Sequence, residues 1–269
     1  MAGHVITRYL ESLNKYVVTN VALEKLNDET IIANVEDKEL VKEIVYKYKP
    51  NVVINCIGRL VKDSSNHPDL AIYLNSFFPH YLAKLGKDMN FKLINLSTDC
   101  VFSGKKGDYS EYDFKDGEDM YARTKALGEI INNRDLTFRL SIIGPEIRQN
   151  GTGLFHWFMT QTEDISGFSE VYWTGITTLE LAKAIDHAIE QNLTSLYHLV
   201  PEKKISKYTL LKLIKEVWGK AIKIKKVEEP KHDKSLINTR KDFNHKIPDY
   251  QTLLMELYEW MKNWDYKLY

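Results

Sequence analysis

The chain has 269 residues, a length that suits one large domain or a domain with a smaller lobe. Lys plus Arg and Asp plus Glu both number 37, so the basic excess that is typical of nucleic-acid binding proteins is absent. Its two cysteines, Cys56 and Cys100, are too few for a disulfide framework. No apolar stretch is long enough to span a membrane, and the first residues show no signal-peptide pattern. We therefore expect a cytoplasmic protein that has neither nucleic acid nor membrane as a partner.

Short β-branched segments alternate with longer amphipathic segments in the first half of the chain. In chain order, the pattern predicts a strand at 16–20, a strand at 30–34, a helix at 37–48, a strand at 51–57, a helix at 68–87, a strand at 91–97, a helix at 119–132 and a strand at 136–143. The strands at 51–57 and 91–97 are mostly apolar, as expected when both faces of a sheet are covered. The alternation predicts an α/β fold with a doubly wound parallel sheet.

The regular alternation ends at Gly144. Beyond it the pattern predicts helices at 153–162 and 177–191, a strand at 196–200, and helices at 206–218 and 249–264. We expect a first domain over residues 1–145 and a smaller lobe over 146–269. Residues 170–200 are expected to return to the first domain.

The first chemical signal is the pair Tyr121 and Lys125. Their spacing of four residues places both side chains on one face of a helix. A nearby ammonium group lowers the pKa of a phenol, which allows a tyrosine to donate a proton to a carbonyl group. This spacing is common on helices by chance, so the pair alone favours an ordinary structural role.

The position of Thr98 strengthens the case. It follows a predicted buried strand, and ligands of open α/β sheets bind beyond the carboxyl ends of the strands. The hydroxyl of Thr98 is thus placed to hydrogen-bond a substrate carbonyl group. The alternative is that Ser97, Thr98 and Asp99 form a capped turn.

Three segments together resemble one family. They are STDCVFSG at 97–104, YSEYD at 109–113 and YARTKALGE at 121–129. This combination resembles the extended short-chain dehydrogenases/reductases, and within them the dTDP-4-dehydrorhamnose reductase group. NVVINCIG at 51–58 and SLINTRKDF at 235–243 are also similar to family segments. The resemblance covers most of the chain and is densest between residues 50 and 145.

The resemblance implies that residues 1–145 form a Rossmann-like NAD(P)-binding domain and that residues 146–269 mainly bind substrate. The implied reaction is reduction of a 4-keto-6-deoxy sugar linked to a nucleotide, with NADPH or NADH as the cofactor. Tyr121 would be the proton donor. Lys125 would lower its pKa and contact the nicotinamide ribose, and Thr98 would polarise the carbonyl group. A homodimer is a further expectation from the family.

The resemblance also assigns binding residues. Cofactor contacts are expected at Gly3, Asn55, Cys56, Gly58, Asn75, Ser97, Tyr121 and Lys125. Substrate contacts are expected at Thr98, Asp99, Cys100, Trp157, Lys234 and Arg240. The family usually has Tyr at the position of Cys100, so the preferred substrate is expected to differ from that of rhamnose synthesis. No metal site is expected, because His232 has no partner at metal-ligand spacing.

Two alternatives remain open. Epimerases and dehydratases of the same fold use the same Tyr and Lys, and dehydratases add an acidic residue at the position of Asp99. A non-catalytic NADP-binding regulatory subunit, such as that of methionine adenosyltransferase, is the second alternative. Retention of Tyr121, Lys125 and Thr98 argues against it.

The first residues resemble the end of the family's glycine-rich phosphate-binding motif, with Gly3 as its last glycine. The strand and the two glycines that precede it in the family are absent from the sequence. We expect either that the natural protein starts earlier or that this is a truncated form with weakened cofactor binding. Because that strand is central in the family, its absence predicts two exposed strand edges.

Overall fold

The computed structural model describes residues 1–148, 150–264 and 266. Its α-helices are α1 (Ala2–Ser12), α2 (Lys38–Tyr48), α3 (Val61–Asn66), α4 (Pro68–Ala71), α5 (Phe78–Met89), α6 (Met120–Leu127), α7 (Leu154–Thr160), α8 (Thr178–Glu190), α9 (Lys207–Trp218) and α10 (Tyr250–Lys262). A π-helical segment, Ile72–Phe77, joins α4 to α5, and a 3₁₀ turn covers Asp99–Val101. Across the described ranges, none of the helices combines the length and the apolar character needed to cross a bilayer.

The strands are short. They are β1 (Val21–Ala22), β2 (Ile31–Ile32), β3 (Val52–Asn55), β4 (Lys92–Thr98), β5 (Leu136–Leu140), β6 (Ile142–Ile143), β7 (Ile165–Phe168), β8 (Val171–Trp173), β9 (Ile176–Thr177), β10 (Ser195–His198), β11 (Ile205–Ser206), β12 (Ile224–Val227) and β13 (His232–Asp233).

Four parallel strands form the main sheet, in the order β10–β5–β4–β3. Thr98 of β4 pairs with Leu140 of β5, and His198 of β10 pairs with Arg139. The carboxyl ends of these strands therefore lie at one edge of the sheet. Together with the helices that cover both faces, this sheet confirms the predicted α/β fold and its Rossmann-like class.

The two faces of the sheet explain its apolar strands. Leu93 and Ile94, which are consecutive in β4, are both fully buried and must point to opposite faces. Ile94 packs in a cluster with α1 and α8, and Leu93 packs in a cluster with α2 and α5. A strand that is buried on both faces has no regular polar alternation, which is why these segments are mostly apolar.

A separate parallel pair, β1–β2, lies outside the main sheet. Among the described residues, β1 pairs with β2 alone and β3 pairs with β4 alone. In the part of the chain that the structure describes, β1, β2, β3 and β10 thus each have one edge without a paired strand.

The second half of the chain adds a smaller group of strands. β7 pairs with β12, and β8 lies between β11 and β13. These strands and helices α7, α9 and α10 enclose a second apolar cluster that includes Phe155, Phe158, Leu210, Ile214 and Leu257. β10 joins the main sheet, so residues 195–198 return to the first part of the chain. The domain boundaries at 145 and 146 remain a prediction.

Two predicted elements differ from the structure. Residues 16–20 form no strand, and the strand lies at Val21–Ala22, where β1 pairs with β2. The helix predicted at 119–132 ends at Leu127. Gly128 follows, and a Cβ atom there would lie 1.8 Å from the backbone oxygen of Asn75. The approach of the π-helical segment to α6 thus requires glycine at this position.

We expect Gly128→Ala to lower the free energy of unfolding by about 2 to 3 kcal/mol, because the added methyl group overlaps a backbone carbonyl that cannot move cheaply. Urea denaturation followed by circular dichroism measures this. The control is Gly219→Ala, where φ is +65° but no atom lies within 4 Å of the added Cβ. That change is expected to cost about 1 kcal/mol. Equal losses in the two variants would contradict the close approach at Gly128.

Candidate active site

Thr98 ends β4 at the carboxyl edge of the main sheet. Its hydroxyl group donates to Asp99 Oδ1 at 3.1 Å and accepts from the backbone N–H of Cys100 at 3.1 Å. These bonds form the 3₁₀ turn that begins directly after the strand. The capped turn considered as an alternative is therefore present, and the same hydroxyl group also reaches the tyrosine of α6.

Tyr121 is the second residue of α6. Asp119 caps this helix by accepting from the N–H of Ala122 at 2.8 Å, which fixes the direction of its first turn. The Tyr121 hydroxyl group lies near that of Thr98. Burial raises the pKa of Tyr121 above its ordinary value, the charge of Cys100 adds to this, and the Thr98 side chain acts in the opposite direction.

Lys125 lies one turn further along α6 and is 6% exposed. Its Nζ donates to the carbonyl oxygen of Leu96 at 2.6 Å. Burial lowers its pKa to about 8, while the carboxylate of Glu129 acts in the opposite direction. The sequence predicted that Lys125 lowers the pKa of Tyr121. In the structure burial of the phenol dominates instead, so its pKa is raised.

Asn75 links the loop after β3 to α6. Its Oδ1 accepts from the N–H of Arg59 at 2.8 Å, and its Nδ2 donates to Thr124 Oγ1 at 3.1 Å. A Cβ atom at Gly58 would lie 3.1 Å from Asn75 Oδ1 and 3.9 Å from Lys125 Nζ. The structure thus brings Gly58 to Lys125. The amide group of Asn75 is engaged in holding this loop in place.

Gly3, Asn55 and Cys56 lie near the start of α1. The Oδ1 of Asn55 accepts from the N–H of Ile57 at 3.1 Å, which shapes the turn after β3. A Cβ atom at Gly3 would lie 3.7 Å from the Cβ atom of Cys56. The first turn of α1 has no side-chain cap. Uncapped N–H groups at a helix N-terminus attract anions, so this end of the helix faces the loop with a partial positive charge.

Ser97 belongs to a different set of contacts. Its hydroxyl group donates to Glu129 at 2.7 Å, and Arg139 donates to both oxygens of the same carboxylate at 2.7 Å. Arg139 also bonds His198 Nε2 at 2.7 Å, and Lys115 bonds Glu129 at 3.1 Å. The Ser97 hydroxyl group thus belongs to this buried ion pair, and the cofactor contact expected at Ser97 remains a prediction.

The predicted substrate side contains Asp99, Cys100 and Lys234. Burial raises the pKa of Asp99, and the ammonium groups of Lys207 and Lys234 act in the opposite direction. The sequence analysis missed Lys207, because a lysine at the start of an amphipathic helix is ordinarily exposed. In the structure its Nζ lies 4.6 Å from the centroid of the Trp173 ring.

The last two predicted substrate residues are Arg240 and Trp157. The guanidinium group of Arg240 donates to the carbonyl oxygens of Thr194 and Leu196 at 2.7 and 2.8 Å and pairs with Asp242. This position is at the start of β10, whereas Thr98 lies beyond the opposite ends of the strands. Arg240 is therefore a structural residue, and its predicted substrate contact is a correction. Trp157 lies on α7 with 39% of its surface exposed, and its contact remains a prediction.

Asp186, His187 and Glu190 have ligand atoms within 4.8 Å of one another. Lys15 donates to Asp186 Oδ1 at 2.8 Å and also bonds Glu190. The Lys15 ammonium group already pairs with both carboxylates, so the cluster is explained by ion pairing.

A parallel sheet whose strand end carries Thr98, followed by a helix with Tyr121 and Lys125, defines a Rossmann-like fold of the short-chain dehydrogenase/reductase type. The chain belongs to the family described as the RmlD substrate binding domain, whose model matches residues 3–259.

Two curated relatives illustrate the family. The beta subunit of methionine adenosyltransferase 2 from Bos taurus is 35% identical over 97 residues, which are 36% of this chain and 29% of that protein. The dTDP-4-dehydrorhamnose reductase of Aggregatibacter actinomycetemcomitans is 32% identical over 120 residues, which are 44% of this chain and 41% of that protein. The chain thus matches less than half of the length of either relative.

Solved structures share the fold over nearly the whole chain. A hypothetical dTDP-4-dehydrorhamnose reductase from Sulfolobus tokodaii has a TM-score of 0.79 and 22% identity, and covers 93% of this chain and 94% of its own. A dTDP-4-dehydrorhamnose reductase from Bacillus anthracis, in complex with NADP, has a TM-score of 0.72 and 20% identity over 87% and 92% of the two chains.

Both thiols at this edge of the sheet are expected to be unreactive. Burial raises the pKa of Cys56 and of Cys100 to about 12. At pH 8 the thiolate that reacts with alkylating reagents is therefore scarce in the folded chain, whereas unfolding restores a pKa of about 8.5. We expect alkylation by iodoacetamide to be at least about a hundredfold slower in the folded chain than in urea. Equal rates in both states would contradict the burial of these groups.

Proposed function

We propose that this chain is a cytoplasmic NAD(P)H-dependent reductase of a 4-keto-6-deoxy sugar linked to a nucleotide. The observation that carries the proposal is the placement of Tyr121 beside Thr98 at the end of β4, with Lys125 one helical turn away. Family membership supports the class of substrate, and the named reductases among the relatives support the reaction.

Thr98 and Tyr121 present two hydroxyl groups to one point beyond the strand end. A substrate carbonyl oxygen at that point accepts a hydrogen bond from Tyr121, and from Thr98 once its hydroxyl hydrogen turns away from Asp99 Oδ1. These bonds stabilise the negative charge that develops on the carbonyl oxygen. The proton of Tyr121 then passes to this oxygen, and the carbonyl group becomes an alcohol. The raised pKa of Tyr121 keeps the phenol protonated before the reaction.

The residues on the other side of Lys125 fit a dinucleotide. Gly58 leaves space beside the ammonium group of Lys125, and the uncapped first turn of α1 offers N–H groups to a phosphate. Gly3 adds no side chain at this turn. A bound NADPH or NADH supplies the hydride. Lys125 is charged below its pKa of about 8 and would donate to hydroxyl groups of the cofactor's ribose.

A non-catalytic regulatory role is the second candidate, and the similarity to the beta subunit of methionine adenosyltransferase 2 favours it. In that case the chain binds a nicotinamide dinucleotide without turnover. The two candidates differ in one measurement, the oxidation of NADPH in the presence of a nucleotide-linked 4-keto sugar.

A homodimer also belongs to this proposal. Leu127 of α6 and Phe77 of the neighbouring π-helical segment expose 68% and 43% of their surfaces, and Ile72 exposes 53%. Adjacent exposed apolar side chains of this size support contact with a second copy. Analytical ultracentrifugation measures directly whether the chain is a monomer or a dimer.

We expect Tyr121→Phe to reduce the rate of NADPH oxidation by about 10²- to 10⁴-fold, because the proton donor is lost while the ring remains. NADPH binding, measured by its fluorescence, is expected to be unchanged. The control is Tyr112→Phe, which alters a tyrosine that is 86% exposed on a nearby loop.

Full activity of Tyr121→Phe would refute the assigned mechanism. Absence of NADPH oxidation by the wild-type chain with a panel of dTDP- and UDP-linked 4-keto sugars, together with retained NADPH binding, would favour the regulatory role over the reductase.

A further inference from the structure

A second lysine lies near Thr98, on the side away from Lys125. The Nζ of Lys207 lies 4.6 Å from the centroid of the Trp173 ring. The indole N–H of Trp173 donates to Ser141 Oγ at 2.7 Å. Ser141 directly follows β5, whose last residue pairs with Thr98. The ring beneath the ammonium group of Lys207 is therefore fixed to the strand end beside Thr98.

The sheet around β8 brings a second ammonium group to the same region. Ser206 of β11 and Asp233 of β13 both pair with Tyr172, one on each side of β8. Lys207 and Lys234 are the next residues in the chain. The two lysines thus lie on opposite sides of β8, and both act on the charge of the buried Asp99.

Neither ammonium group has an acidic partner within 4.0 Å among the residues that the structure describes. The contrast is Lys204, which pairs with Asp108 at 2.9 Å and with Asp233 at 2.7 Å. Two ammonium groups around the single carboxylate of Asp99 leave a net positive charge. Because Lys207 is partly buried, its unpaired charge is costly, and a bound anion would offset that cost.

The geometry points to Lys207 and Lys234 as the residues that bind the diphosphate group of a nucleotide-linked substrate. This inference rests on the proposed function for the identity of the anion. It replaces the predicted contact of Arg240, whose guanidinium group is fully engaged at the far end of β10.

The first test measures binding of UDP and dTDP to the full chain by calorimetry, with uridine as the uncharged comparison and no nicotinamide cofactor present. We expect Lys207→Met to weaken binding of both diphosphates at least about tenfold, because a charge-assisted hydrogen bond is lost. The matched control is Lys212→Met. Lys212 lies on the same helix, is exposed, and has its Nζ 5.9 Å from the Tyr208 ring. The Lys212→Met substitution is expected to leave the binding of both diphosphates unchanged.

The pH dependence separates a direct contact from a change in packing. Burial lowers the pKa of Lys207 to about 8, while the facing groups Asp99 and Cys100 act in the opposite direction. Deprotonation removes the charge that binds the anion, so the affinity of the wild-type chain for UDP is expected to fall as the pH rises through about 8. Lys207→Arg is expected to bind UDP at pH 7 and to retain that affinity at pH 9.

Wild-type affinity for UDP and dTDP in Lys207→Met would overturn this inference, and so would a wild-type chain that binds neither diphosphate. These outcomes are separate from the reductase test. Loss of UDP binding in Lys207→Met without NADPH oxidation by the wild type would contradict the reductase proposal and support diphosphate binding by Lys207. NADPH oxidation in Lys207→Met with an unchanged KM for the nucleotide-linked sugar would support the reductase proposal and refute diphosphate binding by Lys207.

Discussion

The buried ion pair between Glu129 and Arg139 is the contact on which the site depends. Glu129 has a fully buried side chain, Arg139 is 1% exposed, and two parallel hydrogen bonds of 2.7 Å join them. Glu129 comes one residue after Gly128 ends α6, and Arg139 lies in β5 beside Ser97 of β4. The pair thus fixes the end of α6 against the strands β4 and β5, of which β4 carries Thr98. The position of Tyr121 relative to Thr98 follows from it.

A buried ion pair is expensive to desolvate and contributes little net stability unless further hydrogen bonds complete it. Here Ser97 and Lys115 donate further hydrogen bonds to the carboxylate of Glu129, and the guanidinium group of Arg139 makes a further hydrogen bond to His198. Burial and the charge of Arg139 lower the pKa of His198 to about 4, so its ring is neutral near pH 7. A neutral ring accepts from Arg139 at Nε2 and donates from Nδ1 to Ile237 O at 2.8 Å. We infer that the network is retained because it fixes one arrangement of these elements.

The same network connects the site to the C-terminal segment. Glu111 accepts from the hydroxyl group of Thr239 at 2.6 Å and from the backbone N–H of His198 at 3.3 Å. The short segment 232–239 therefore runs from Lys234, near Asp99, to the buried ion pair. Glu111, which precedes Tyr121 in the chain, and the Glu129–Arg139 ion pair, which follows it, are thus linked by hydrogen bonds through His198.

Local sequence signals predicted the features that depend on local physics. The apolar strands β3, β4 and β5 were recognisable because burial on both faces leaves no alternation, and Asp37 and Ser206 were recognisable helix starts. The end of α6 at Gly128 was not predictable, because it depends on the backbone of Asn75, 53 positions earlier in the chain. The role of Lys207 was hidden for the same reason. Its partial burial depends on Trp173, which reaches it through the pairing of β8 with β11.

The protonation state of Tyr121 bears on which reaction this family member performs. A reductase needs a protonated phenol at the start, because the phenol supplies the proton that follows the hydride. An epimerase or dehydratase of this fold begins with oxidation of an alcohol, which needs a phenolate as base, and hence a lowered pKa. Burial and the neighbouring Cys100 and Asp99 raise the pKa of Tyr121, and Lys125 donates to Leu96 O. The electrostatics of the site thus favour the protonated phenol, which is the state from which a tyrosine can donate a proton.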